Sequence, residues 1–140
     1  MHLEKEFDVS LEPDAAYRRV ATDETLLGLF PETRTEIVAS HGDERTLCSH
    51  YTALGQEGVA TFHFHFVPEV AVRFEKVCDG RVWRELKGSV RFRSRSGKTR
   101  VRIQMDGRTK GLVPEFTIKG AMKDQIDQMA RALRERLQNA

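Results

Sequence analysis

Leu3, Phe7 and Val9 fall on one side of an extended chain, and Glu4, Glu6 and Asp8 fall on the other. The N-terminal segment therefore reads as a strand with one wet face. Lys5 breaks the alternation, and its long aliphatic stem suits a charge that snorkels from the apolar side to a rim. Pro13 fits a first helical turn, and Ala15 through Ala21 has helical propensity. Thr22 or Asp23 then caps a second short helix through Leu26, Leu27 and Phe30, which Pro31 stops. From Thr35 onward the period becomes two. Breaks fall at His41-Gly42-Asp43, Gly55 to Gly58, Pro68-Glu69, Asp79-Gly80 and Ser96-Gly97, the residue types that tight hairpins require. The middle of the chain is a continuous antiparallel meander, about seven strands with the first. Pro114 starts a helix whose apolar residues Ile118, Met122, Ile126, Met129, Leu133 and Leu137 recur at three- and four-residue steps. From Pro114 to Gln138 it spans roughly 35 Å, enough to run the length of a sheet.

Turn positions predict which strands face each other, because a slip of one residue inverts every side chain. The Ser96-Gly97 turn sets Phe92 opposite Val101, Val90 opposite Ile103 and Gly88 opposite Met105. A turn over Gly55 to Gly58 sets Tyr51 beside Phe62 and Leu47 beside Phe66, and one over Val67-Pro68-Glu69 sets Phe62 opposite Phe74 and Phe64 opposite Val72. A strict two-residue loop at Asp79-Gly80 would put Leu86 opposite Arg73, so a bulge or longer loop is expected there. The resulting inner face carries Leu47, Tyr51, Phe62, Phe64, Phe66, Val70, Val72, Phe74, Leu86, Val90, Phe92, Val101, Ile103 and Met105. One amphipathic helix covers a stripe of such a face, so a curved sheet around it predicts an apolar cavity. Tight packing without a void is the alternative.

Composition bounds the reading without redirecting it. A chain of 140 residues fits one domain over 1–140 and buries a real core without metals or disulfides. The net charge of +2 draws it to neither nucleic acid nor acidic lipid as a whole. No apolar leader and no stretch long enough to span a bilayer is visible, so the expected compartment is cytoplasmic. Cys48 and Cys78 lack close metal-type spacing and are expected as free thiols.

A strand, two short helices, a six-strand meander and a terminal helix is an unusual order. It resembles the START-like superfamily, also called the Bet v 1 or polyketide cyclase/dehydrase group. Phe7-Asp8-Val9-Ser10 followed by Pro13-Asp14-Ala15-Ala16-Tyr17 is similar to that group's opening strand and first helix. Phe30-Pro31 resembles its proline after the second helix, and Leu112-Val113-Pro114 through Leu137 its gripping helix. Tyr17 stands where an aromatic Trp is common, and Thr22-Asp23-Glu24 replaces the usual Asp-Pro. The resemblance implies an α+β helix-grip fold and binding of a lipid, sterol, quinone, polyketide or other apolar molecule, with cyclisation or aromatisation in some members. Fold alone does not fix function.

The expected ligand-binding residues are Tyr51, Phe62, Phe64, Phe74, Arg84, Leu86, Val90, Ile103 and Met105 on the sheet, with Met122, Ile126 and Met129 on the helix. By parity Ser49, Tyr51, Lys76 and Arg84 can also point inward. Tyr51 and Arg84 would then hold a carbonyl or phenol; alternatively Tyr51 is bonded at the edge and the cations reach solvent. The same register places His50 opposite His63 and Cys48 opposite His65 on the outer face, a set whose donors could take zinc or copper, but exposed hairpin histidines are the expected reading and no metal site is expected. Arg91, Arg93, Arg95, Lys98, Arg100 and Arg102 form a basic outer strip, partly neutralised if Glu4, Glu6 and Asp8 lie beside it. With no interleaved aromatics, it does not read as a nucleic-acid surface. No P-loop, dinucleotide fingerprint or nucleophile elbow is visible, and no cofactor is implied. Three functions stay open: a carrier of an apolar small molecule, a cyclase or aromatase-like enzyme using the same pocket, and a protein or anion interaction module using the basic face.

Overall fold

The computed structural model describes residues 1–31, 33–53 and 55–138. In chain order the elements are β1 (His2–Val9), α1 (Pro13–Val20), α2 (Asp23–Leu27), β2 (Arg34–His41), β3 (Glu44–Ala53), β4 (Gln56–Val67), β5 (Ala71–Lys76), β6 (Trp83–Arg95), β7 (Lys98–Thr109), a 3-10 turn (Glu115–Thr117) and α3 (Lys119–Gln138). The strands form one antiparallel sheet in the order β1-β7-β6-β5-β4-β3-β2. This is the α+β helix-grip architecture.

Local chemistry places the helices. Pro13 occupies the first turn of α1, where its missing N–H costs nothing. The Thr22 hydroxyl accepts from the Thr25 amide at 3.2 Å and caps α2. That helix stops at Leu27 against Gly28, short of the expected Phe30. The long helix also starts later than expected: Pro114 precedes a 3-10 turn, and regular α-helix begins at Lys119. Its stripe of Met122, Ile126, Met129, Leu133 and Leu137 is buried. The helix lies along β1 and β7 and beside α1. Lys5, the misfit in β1, reaches it through an ion pair with Asp127 at 3.0 Å.

The β6–β7 register is the expected one, with Phe92 opposite Val101, Val90 opposite Ile103 and Gly88 opposite Met105. Ser96 and Gly97 both adopt positive φ, as a two-residue hairpin of right-handed strands requires. Two other registers differ. Only two residues separate Ala53 from Gln56, so Tyr51 faces Gly58 and Leu47 faces Phe62, instead of Phe62 and Phe66. Across β4 and β5, Phe64 faces Phe74 and Phe62 faces Lys76, because the connection closes between Val67 and Ala71. Both shifts are even, so every side chain keeps its face. The Asp79-Gly80 connection is the longer loop expected, running from Val77 to Val82, and Phe74 comes to face Gly88.

Candidate functional site

Ten of the twelve expected binding residues come together in one buried cluster: Phe62, Phe64, Phe74, Leu86, Val90, Ile103 and Met105 from the sheet, and Met122, Ile126 and Met129 from α3. Phe30, Phe62, Phe64 and Phe74 run through it as successive ring contacts, at 5.7, 6.4 and 5.5 Å between centroids. Part of the interior is closely packed where an open cavity was expected. Leu47, Val101, Ile103 and Met129 have no exposed surface, so no water-sized gap adjoins them. Three aromatic rings fill positions where a side chain is missing: Tyr51 lies over Gly58, Phe74 over Gly88 and Trp83 over Gly107. Of these rings, Phe74 and Trp83 belong to the buried cluster, and that of Tyr51 lies exposed outside it.

Tyr51 and Arg84 stand apart from that cluster. Tyr51 is 42% exposed near the β3–β4 turn, and Arg84 is exposed in a bulge between Trp83 and Glu85. Lys76 is half-buried at the end of β5. Ser49 does turn inward: it is buried and shares a hydrogen bond of 3.0 Å with Thr35. Thr35 in turn lies 3.4 Å from Thr33, whose hydroxyl donates to the Phe30 carbonyl. Nothing in the linear pattern points to this hydroxyl chain beside Phe30, because Thr33 and Thr35 precede or open β2, where alternation is weakest. The buried polar side chains among the described residues are all hydroxyls, those of Thr25, Ser49, Ser89 and Thr99. Tyr17 adds a buried phenol whose pKa is raised, first by burial and then by Asp43 and Glu69.

The β3–β4, β5–β6 and β7–α3 connections all leave the same end of the sheet, since the strands alternate in direction. That end carries exposed apolar side chains from each connection or its flanking strands: Tyr51, Val59, Val77, Val82, Leu112 and Phe116. Leu112 is 93% and Phe116 80% exposed. The Lys110 amide donates to the Val82 carbonyl at 2.8 Å, so two of the connections touch. Hydropathy alone underrates this region, because neither Leu112 nor Phe116 belongs to a periodic run.

The outer face corrects the expected pairing of the histidines and Cys48. His50 faces Val59 and Cys48 faces Thr61, while His63 faces Thr46 and His65 faces Glu44. His50 bonds to Glu36 at 2.9 Å, and no group of three metal-binding side chains occurs among the described residues. The acidic residues of β1 neutralise part of the basic strip as expected: Arg102 pairs with Glu6 at 2.8 Å and Arg100 with Asp8 at 3.0 Å. Both cysteines are free. Among the described residues no helix is long and apolar enough to cross a membrane.

No family model matches the chain, and no curated protein matches it. Solved structures do. A Thermus thermophilus protein superimposes with a TM-score of 0.77 at 17% identity, covering 98% of this chain and 97% of its own. The Zhui aromatase/cyclase of Streptomyces sp. R1128 gives 0.73 at 15%, covering 98% and 91%. A START superfamily protein of Mycobacterium smegmatis gives 0.72 at 18%, covering 97% and 96%. The fold is START-like.

Proposed function

We propose that residues 1–140 act as one ligand-binding domain that takes up an apolar or aromatic small molecule between the sheet and α3. The supporting observation is the continuous interior of phenylalanine and methionine, which leads to an end where Leu112 and Phe116 are exposed. Solvent-facing apolar groups of that size cost hydration free energy unless something apolar passes them. Thioethers on α3 and stacked rings on β4 and β5 can change rotamer without breaking a polar contact, so the packed interior can yield to a guest. Entry at the connection end displaces the Phe62–Phe64–Phe74 rings, and the chain of Thr33, Thr35 and Ser49 offers a hydroxyl to one polar atom of the guest. Likeness in fold to an aromatase/cyclase and to a START superfamily protein agrees with such a guest. Carriage is favoured over cyclisation because the buried polar groups named above offer hydroxyls and one phenol, and no acid–base pair among the described residues. The expected setting is the cytoplasm.

Native mass spectrometry of protein purified without detergent tests this directly. The expected result is a mass increment of a retained apolar molecule, lost on extraction with organic solvent. Trp83, the only tryptophan and buried over Gly107, supplies a second measurement, because a guest in the interior changes its emission. Interior binding is refuted if no mass is retained and Trp83 also fails to respond to 1-anilinonaphthalene-8-sulfonate.

A further inference from the structure

Two concavities open on the outer face of the sheet, away from α3. A groove of about 790 Å³ crosses β2 to β7, and Arg73, Ser89 and Arg91 lie along it. A second, of about 390 Å³, continues past the end of β5 beside Arg91 and Arg93. Arg91 lines both, so the two form one path.

The charges on this path are arranged against the stability of the free protein. Arg91 faces Arg102 directly across β6 and β7, and Arg93 faces Arg100. Like charges directly opposite in an antiparallel pair are destabilising. On β7 the repulsion is offset, because Arg100 and Arg102 pair with Asp8 and Glu6. On β6 it is not: neither Arg91 nor Arg93 forms an ion pair among the described residues, and the same holds for Arg73. The neighbouring strand β5 begins at Ala71, opposite Arg91, so it has no residue opposite Arg93. Acidic groups border the path without closing it. Glu44 lies 3.7 Å from His65, Asp106 binds His2 at 2.6 Å, and Glu75 and Glu69 stand at the two ends. Ser89 is 8% exposed in the floor, faces Arg73, and its hydroxyl has no hydrogen bond within the described protein.

We propose that this outer path is a binding site for a small organic polyanion bearing two or more phosphoryl or carboxylate groups. Alternate residues on a strand are about 7 Å apart, and neighbouring strands about 5 Å. Arg73, Arg91 and Arg93 therefore present their guanidinium groups at steps that match successive anionic groups, with the Ser89 hydroxyl between the first two. Guanidinium forks bind such oxyanions in two-point contacts. Phe64 and Phe74, the aromatic residues at its floor, are buried and present no face for stacking nucleobases.

Calorimetric titration of the whole chain with inorganic tripolyphosphate at low ionic strength, with orthophosphate alongside, tests the site. Saturable binding of one tripolyphosphate per chain is expected, stronger than that of orthophosphate. Arg91→Gln with Arg93→Gln should weaken it by at least about tenfold, the loss expected for charge-assisted hydrogen bonds. Arg73→Gln tests the other end of the path independently. Arg131→Gln, on the exposed side of α3, should bind as the parent does. Without ligand the Arg91/Arg93 double variant should melt at a higher temperature than the parent, because the repulsion is relieved. Absence of saturable binding, equal weakening by Arg131→Gln, or a lower melting temperature in the double variant would each overturn the proposal. So would retention of single-stranded RNA or anionic vesicles that tripolyphosphate fails to displace.

Discussion

Gly88 shows how one missing side chain shapes the interior. A β-carbon there would collide with the Phe74 ring and with the Gln104 carbonyl oxygen. The ring is buried in a stack, and the carbonyl belongs to the neighbouring strand, so neither has room to retreat. Gly88→Ala should destabilise the protein by about 1–3 kcal/mol, the usual cost of overpacking a core. Gly58 meets a ring as closely, that of Tyr51, yet this ring is exposed and swings outward on its own rotamers. Gly58→Ala should therefore cost under about 1 kcal/mol. Urea unfolding of the two variants separates the cases; equal losses would mean that the Tyr51 ring is held as firmly as the Phe74 ring.

Among the elements, β1 is an edge strand held by charges at both ends, and the two ends respond to pH in opposite directions. At its start, the His2 imidazole bonds to Asp106 and to Glu4, which raises its pKa above the ordinary 6.5. Its favourable contribution is complete below that ordinary value and is lost as pH rises through the raised one. Near its finish, the hydrogen bond from Arg100 holds the Asp8 carboxyl below its ordinary 3.8. That contribution is complete above the ordinary value and is lost as pH falls through the lowered one. Both groups are largely exposed, so the effects are local and small. Amide protection factors, which divide out the intrinsic pH dependence of exchange, should decline first at the His2 end on going alkaline and at the Asp8 end on going acid. Asp106→Asn should abolish most of the first effect and leave the second. The contacts that bind β1 to α3, the Lys5–Asp127 pair and Arg134 over the Phe7 ring, are untouched by that substitution.

Across the whole molecule, most faces were legible in the sequence, Val70 being an exception that lies exposed, while partners were legible for β6–β7 and not for β3–β4 or β4–β5. The β3–β4 pairing lies four residues from the expected register and the β4–β5 pairing two, and an even slip returns each side chain to its own side. Phe62, Phe64 and Phe74 therefore reach the core despite changed neighbours. The expected His50–His63 and Cys48–His65 pairs do not survive, because a metal set depends on particular partners and not on a face. Filling of the interior was illegible for another reason. It depends on rings lying over Gly88 and Gly107, contacts set by strand register and twist that no linear pattern records. The apolar end was also hidden, since its side chains come from segments far apart in the chain that meet only through the alternation of strand direction. Function at that end is separable from stability. Leu112 and Phe116 are almost fully exposed, so replacing both by Ser removes little buried surface and should leave the melting temperature unchanged. If an apolar guest passes between the connections, the same change should slow its association severalfold, followed by stopped-flow emission of Trp83 with 1-anilinonaphthalene-8-sulfonate. Met129→Ala should do the reverse: a fully buried thioether is lost at a cost of about 2–5 kcal/mol, while the entry path is untouched. An unchanged association rate in the Leu112/Phe116 variant would move the entrance away from this end.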